Sequence, residues 1–219
     1  MTLLLNKIAI TDGNHKTLIS PISFTVAAGE ILSLMGPSGC GKSTLLNVIA
    51  GHLPHDFHCS GEIYLNNLLL NNTAVEKRNI GLLFQDDLLF PHLNIWQNLA
   101  VALPNTVKKS QRKMQAMETL EAINLSFLAD NSPAKISGGQ RARISMMRML
   151  LAQPAAVLLD EPFNKLDKSL RSEFRDWVFQ QIQERKLPAL MVTHDQADLP
   201  DNGAVLQWPW QQPKEQLNA

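Results

Sequence analysis

Gly36-Pro37-Ser38-Gly39-Cys40-Gly41-Lys42-Ser43-Thr44 decides how the rest of the chain is read. A glycine, four residues, then Gly-Lys-Ser/Thr is the phosphate-loop pattern. Ahead of it, Glu30-Ile31-Leu32-Ser33-Leu34-Met35 is a short, mostly apolar run that predicts a buried strand. Behind it, Ser43 to Ala50 carries Leu45, Leu46, Val48 and Ile49, which predicts a packed helix stopped by Gly51. A strand, a glycine turn and a helix N-terminus together aim several backbone N–H groups at one anion. Lys42 is then placed to reach the outer phosphates of a nucleotide, and the Ser43 hydroxyl to hold Mg²⁺. A chance glycine-rich turn would account for neither the strand nor the helix.

The chain has 219 residues, 45% apolar and 18% charged, enough for one large domain or one domain with an inserted subdomain. Its 20 Lys and Arg balance 20 Asp and Glu. That balance supplies no broad basic field for nucleic acid or for an anionic membrane surface. Two cysteines, Cys40 and Cys59, make no disulfide framework in a chain this long, and a bridge at Cys40 would obstruct the phosphate loop. A reducing, cytoplasmic setting is expected. The N-terminus lacks a basic segment followed by an apolar core, and no window reaches the roughly 18 apolar residues of a spanning helix. Any membrane part is expected from a partner.

Lys7 to Thr11 and Ile19 to Val26 read as strands joined by the turn Asp12-Gly13-Asn14-His15. Residues 51–60 read as a polar loop. Its His52, His55, His58 and Cys59 could suggest zinc, but Pro54 breaks regular spacing and no second ligand pair follows. Gly61 to Leu65 and Ile80 to Phe84 read as strands, and Asn94 to Leu103 and Ser110 to Ile123 as helices. Met114, Met117, Leu120 and Ile123 are taken as a core stripe. A further helix is expected over Arg141 to Ala152, a buried strand over Ala155 to Asp160, and a helix over Asp167 to Glu184. That last helix would bury Leu170, Phe174, Trp177, Val178 and Ile182 on one face. Strands follow at Leu190 to Thr193 and Ala204 to Gln207, then a polar, frayed tail over 209–219. Strands alternating with helices imply a parallel α/β sheet.

The strand Ala156-Val157-Leu158-Leu159 delivers Asp160 and Glu161 at its C-terminal end, where α/β sheets place ligands. Asp160 would support Mg²⁺ through water, and Glu161 would orient and polarise an attacking water. A second anion-ready helix start lies at Ile136-Ser137-Gly138-Gly139-Gln140-Arg141. An ordinary glycine turn capped by Ser137 would also start that helix.

These motifs, in this order, resemble the ATP-binding subunit of ATP-binding cassette (ABC) transporters over nearly the whole chain. Residues 36–44 are similar to the family's phosphate loop, Phe84-Gln85 to its glutamine loop, and Ile136-Ser137-Gly138-Gly139-Gln140 to its signature motif. Leu158-Leu159-Asp160-Glu161 resembles the second nucleotide motif, Asn164-Lys165-Leu166-Asp167 the D-loop, and Thr193-His194-Asp195 the switch histidine.

The resemblance implies an α/β phosphate-loop NTPase with a parallel-sheet core, an N-terminal antiparallel β subdomain and an inserted helical subdomain. One ABC ATPase domain is expected over 1–219, with its core at 1–85 and 154–208 and its helical part at about 86–153. ATP and Mg²⁺ are the implied cofactors. Two cassettes, as a homodimer or a pair, would close head to tail around two ATP. Ser137, Gly138, Gly139 and Gln140 would then face the partner's γ-phosphate. Gln85 would join Ser43 and Asp160 at Mg²⁺, Glu161 would polarise water, His194 would contact the γ-phosphate, and Asp167 would cross the dimer interface.

Residues 86–96, beside Gln85, would form the groove that receives a helix of an integral membrane permease. The Leu89-Phe90-Pro91-His92-Leu93 segment most resembles bacterial import ATPases, which work with a solute-binding protein. Such a subunit sits peripherally on the cytoplasmic face of the inner membrane. An export or lipid-extracting complex shares the same ATP chemistry. A soluble cassette acting on nucleic acid or ribosomes fits less well, because no long coiled coil separates the motifs.

Three positions depart from the family. The register of the usual adenine-stacking aromatic lands on Gly13, with His15 the only ring nearby. Lys165 is unusual in a D-loop. The sequence also ends soon after Gln207, so regulation by the added C-terminal domain of many import ATPases is not expected.

Overall fold

The computed structural model describes residues 1–84, 88–164, 166, 168–201 and 203–208, with backbone alone for Lys168 and Ser169. Its strands are β1 (Thr2–Asp12), β2 (Thr17–Ala27), β3 (Ile31–Met35), β4 (Phe57–Leu65), β5 (Leu68–Leu69), β6 (Ile80–Leu83), β7 (Ala156–Asp160), β8 (Ala189–Thr193) and β9 (Ala204–Gln207). They build two sheets. An antiparallel sheet runs β2-β1-β4-β5, and a parallel one runs β6-β7-β8-β3-β9. The helices are α1 (Lys42–Ala50), α2 (Ile95–Ala100), α3 (Lys109–Ala122), α4 (Gly138–Leu151) and α5 (Lys168–Glu184).

The central strands are buried on both faces, and their side chains divide between two cores by the period of two that a strand imposes. Val157 and Leu159 of β7, with Ala189 and Met191 of β8, join the core shared with α2, α3, α4 and α5. Ala156 and Leu158, with Leu190 and Val192, join the core shared with α1 and the antiparallel sheet. The phosphate-loop strand β3 contributes Leu32 and Leu34 to that second core.

Several expectations change on contact with this packing. β1 begins at Thr2 rather than Lys7, with Leu3 and Leu5 buried and Leu4 exposed. Its regularity breaks at Lys7, whose φ is 52° and whose N–H donates to Ser23 Oγ at 2.8 Å. β4 begins at Phe57, so His58 and Cys59 belong to a strand paired with Thr11 and Ile10, not to a loop. Only residues 51–56 of that stretch keep the expected irregular conformation. Among the described residues no three His, Cys, Asp or Glu cluster as metal ligands.

The methionine stripe also fails in part, because Met114 is 54% exposed while Ala116 and Leu120 are fully buried. Positions spaced by three precess around a helix of 3.6 residues per turn, so Met114 and Leu120 point about 120° apart. On α5, Phe174, Val178 and Ile182 are buried as expected, but Leu170 is exposed. It borders the helix start at Gly139 instead, where an added Cβ would lie 3.5 Å from Leu170 Cδ1.

Candidate functional site

The phosphate loop sits where the sequence puts it, between β3 and α1. Gly41 caps α1 with φ 89°, a left-handed conformation that glycine adopts without a Cβ clash. Lys42 is 4% exposed and its ammonium donates to the loop carbonyls of Gly36, at 2.9 Å, and Pro37, at 2.6 Å. Those bonds hold its charge against the loop itself. Ser43 Oγ donates to Asp160 Oδ1 at 3.0 Å, which joins the loop to the end of β7 across 117 residues of sequence. Two oxygens side by side suit a hard cation such as Mg²⁺.

Burial pushes the Asp160 carboxyl above its ordinary range, and neighbouring Glu161 adds to this; the Ser43 hydrogen bond and the Lys42 charge oppose it. The native state therefore takes up this proton more readily than the unfolded chain. Stability lost to the charge at neutral pH returns as the pH falls through the raised pKa. Asp160→Asn keeps the shape and an acceptor for Ser43. It should raise the melting temperature of the nucleotide-free protein by a few degrees while ATP turnover collapses, which thermal unfolding and phosphate release would measure together.

Glu161 follows with φ 46°, a left-handed value at a non-glycine residue, held by its N–H donating to Val192 O at 3.0 Å. That turn directs its side chain away from Asp160's and towards β8. Glu161 Oε1 lies 3.2 Å from His194 Nδ1, and Asn164 Nδ2 donates to Glu161 Oε2. A left-handed non-glycine residue whose side chain has two partners is thereby held in one orientation at the end of β7.

His194 is itself placed by a network that the sequence did not reveal. Arg171 of α5 donates from Nε and Nη2 to Asp198, both at 2.7 Å, and pairs with Asp195 at 2.9 Å. Asp198 is fully buried and also accepts from Thr193 Oγ1 at 2.8 Å. The residues on both sides of His194 are thus fixed to α5. The Ala197 N–H and the Arg171 guanidinium hold the Asp195 carboxyl below its ordinary pKa. Arg171→Ala would strand Asp198 as a buried unpaired charge. A loss of about 3–5 kcal/mol is expected by urea unfolding. Arg171→Lys should restore it only in part, because lysine cannot make the two-pronged contact.

The second glycine helix start forms a capping box. Ser137 Oγ accepts from the Gln140 N–H at 3.2 Å, and Gln140 Oε1 accepts from the Ser137 N–H at 2.9 Å. Both side chains therefore hold the helix start, and the first-turn N–H groups of Gly138 and Gly139 have no acceptor within the helix. A recess beside this turn is lined by Leu125, Arg143, Leu166 and Leu170 with Ser137 and Gly139, and by no residue of 36–44. Ser43 meets Asp160 and Glu161 meets His194 within one chain, and the recess at the second helix start is lined by none of these four residues. Gln85, Lys165 and Asp167 lie outside the described residues.

Residues 19–164 match the family model described as ABC transporter. The chain belongs to the ABC transporter family. It is 46% identical over 194 residues to the ABC transporter ATP-binding protein YnjD of Escherichia coli, spanning 87% of this chain and 89% of that one. It is 39% identical to the sulfate/thiosulfate import ATP-binding protein CysA of Pectobacterium atrosepticum, over 82% of this chain and 55% of that protein. To the Fe(3+) ions import ATP-binding protein FbpC of Haemophilus influenzae it is 38% identical, over 83% of this chain and 52% of the other. The chain thus spans about half the length of the two import proteins. Like its relatives it is an ATP-binding protein of the ABC ATPase type. Among the described residues no helix is long and apolar enough to cross a membrane.

Proposed function

We propose that this ABC ATPase pairs with a second cassette around two ATP and powers solute uptake through a separate membrane permease. The observation that supports the pairing is that the recess at one anion-ready helix start is lined by no residue of the other. One chain offers a phosphate loop with Asp160, Glu161 and His194, and a signature turn whose recess shares no residue with that loop. Head-to-tail pairing gives each turn a partner's phosphate to face.

In this reading Lys42 binds the outer phosphates, while Ser43, Asp160 and Gln85 hold Mg²⁺, which neutralises phosphate charge when bound. Glu161 takes the proton of the attacking water, and His194 supports both Glu161 and the γ-phosphate. Ser137, Gly138, Gly139 and Gln140 form the partner's contact. The reading treats 1–219 as one ATPase domain with a helical unit at about 86–153.

A groove of about 650 Å³ supports the permease part. Phe84, Leu88, Phe90 and Val101 line it and are 39–53% exposed, so four large apolar side chains gather at one groove. Its floor is firm. Buried Asn98 donates to the carbonyls of Phe90, Leu93 and Asn94 and accepts from the Phe90 N–H at 2.8 Å. Arg148 donates to Leu88 O at 2.9 Å and lies 5.1 Å over the Phe90 ring. Import, rather than export, is supported by the sulfate and iron import relatives, and in this reading the subunit works peripherally on the cytoplasmic face of the membrane.

Crosslinked capture of the protein from its native membranes, with partners identified by mass spectrometry, tests the proposal. A multispanning permease with a solute-binding protein is the expected recovery. Ribosomal or DNA-bound proteins instead would sink it and leave the ATP chemistry untouched.

A further inference from the structure

A phosphate loop that turns its N–H groups inward must turn its carbonyls outward, and each of those needs a partner. Lys42 takes the carbonyls of Gly36 and Pro37. The Cys40 carbonyl is taken from the far end of the chain, where the Trp208 indole Nε1–H donates to it at 2.6 Å. Trp208 stands one residue beyond β9 and is 5% exposed. Its backbone N–H donates to Met35 O, also at 2.6 Å, at the point where β3 ends and the loop begins. Between these two anchors its main chain crosses Gly36 so closely that a Cβ there would lie 2.3 Å from Trp208 O. One residue therefore bears on the entry, the first glycine and the last turn of the loop.

We propose that Trp208 is a positioning residue for nucleotide binding, its indole N–H fixing the Cys40–Gly41 peptide so that the Gly41 N–H faces the phosphates. The peptide group is planar and trans, so a carbonyl held on one side sends the following N–H to the other. Gly41 cannot set that orientation alone. Its φ of 89° is freely available to glycine, but so are the alternatives. Leu18 and Ile19 of β2 approach Gly41 from the side, with an added Cβ 3.2 Å and 3.4 Å from their carbons, and they offer no polar group to its peptide. The indole, itself 5% exposed, supplies the direction that glycine lacks through a part-buried hydrogen bond.

Trp208→Phe in the full chain separates positioning from packing, because phenylalanine fills much of the same space and donates nothing. Calorimetric titration with MgADP should show affinity about tenfold weaker, and KM for MgATP should rise by a similar factor. Turnover number should stay within about twofold and the melting temperature within a few degrees. Unchanged MgADP affinity, with or without a lower melting temperature, would reduce Trp208 to a packing residue and overturn the proposal. If Trp208→Phe does not fold, the parent protein answers by ¹⁵N NMR. The chain has four tryptophans, so W96F, W177F and W210F assign the Trp208 indole resonance by elimination. A resonance that shifts on MgADP addition is expected, and one indifferent to MgADP would overturn the proposal.

Discussion

Lys42→Ala should abolish ATP hydrolysis, with phosphate release falling by about 10³-fold or more, while the protein stays folded. Two sides of the site argue for that combination. Lys42 is almost wholly buried and its ammonium is bonded to two loop carbonyls, so in the proposed reading it holds a charge in place beside the phosphates. Removing one pre-organised donor from a developing oxyanion costs about 10²–10³ in rate, and removing a full positive charge costs more. The structural cost is small by comparison. Pro37 is exposed and Gly36 half-buried, so water can replace the ammonium at both carbonyls. A melting temperature within a few degrees of the parent, with nucleotide affinity also reduced, is the expected pattern. Lys42→Arg should not rescue turnover, since a planar guanidinium does not fit a pocket shaped around one point charge. Hydrolysis near the parent rate in either variant would remove Lys42 from the chemistry.

The nucleotide end of this molecule was legible in the sequence because its geometry is local. A glycine loop and the helix behind it are specified by neighbours along the chain, and so are Asp160 and Glu161 at the end of an apolar strand. What escaped was set by distant partners. Nothing near Phe57 announces a strand, and β4 starts there because Asp12 of β1 pairs with it. Leu3-Leu4-Leu5 reads as an apolar run without alternation, and only pairing with β2 and β4 decides which leucine faces out. The residues that hold the site were the hardest to see. Arg171 and Asp198 are 27 positions apart, and Trp208 meets Cys40 across 168. A charged residue on a polar helix face, or a tryptophan at a strand end, carries no periodic signal. Asp198 gave one faint hint: an aspartate among the few residues between a buried strand and the next is a candidate for a buried partner.

Glu161→Gln should bind ATP yet hydrolyse it about 10²–10⁴-fold more slowly, the range lost with a general base. The amide is nearly isosteric, so the left-handed turn at Glu161 and the bond from its N–H to Val192 O should survive. Its side chain can still meet Asn164 and His194, which keeps the mouth of the site in place. What it cannot do is accept a proton from water at neutral pH. The consequence reaches beyond the rate. If ATP joins two cassettes and hydrolysis parts them, a variant that binds without hydrolysing holds the closed state, because the differential affinity that drives closure is no longer spent. Size-exclusion chromatography with light scattering should therefore find Glu161→Gln dimeric in MgATP and monomeric without it, while the parent returns to monomer as ATP is consumed. Three outcomes separate the ideas. Parent-rate hydrolysis would move the catalytic base elsewhere. Lost hydrolysis with no MgATP-dependent dimer would keep Glu161 as base and count against pairing around ATP. Lost hydrolysis together with a trapped dimer would tie the carboxylate on β7 to the opening of the pair.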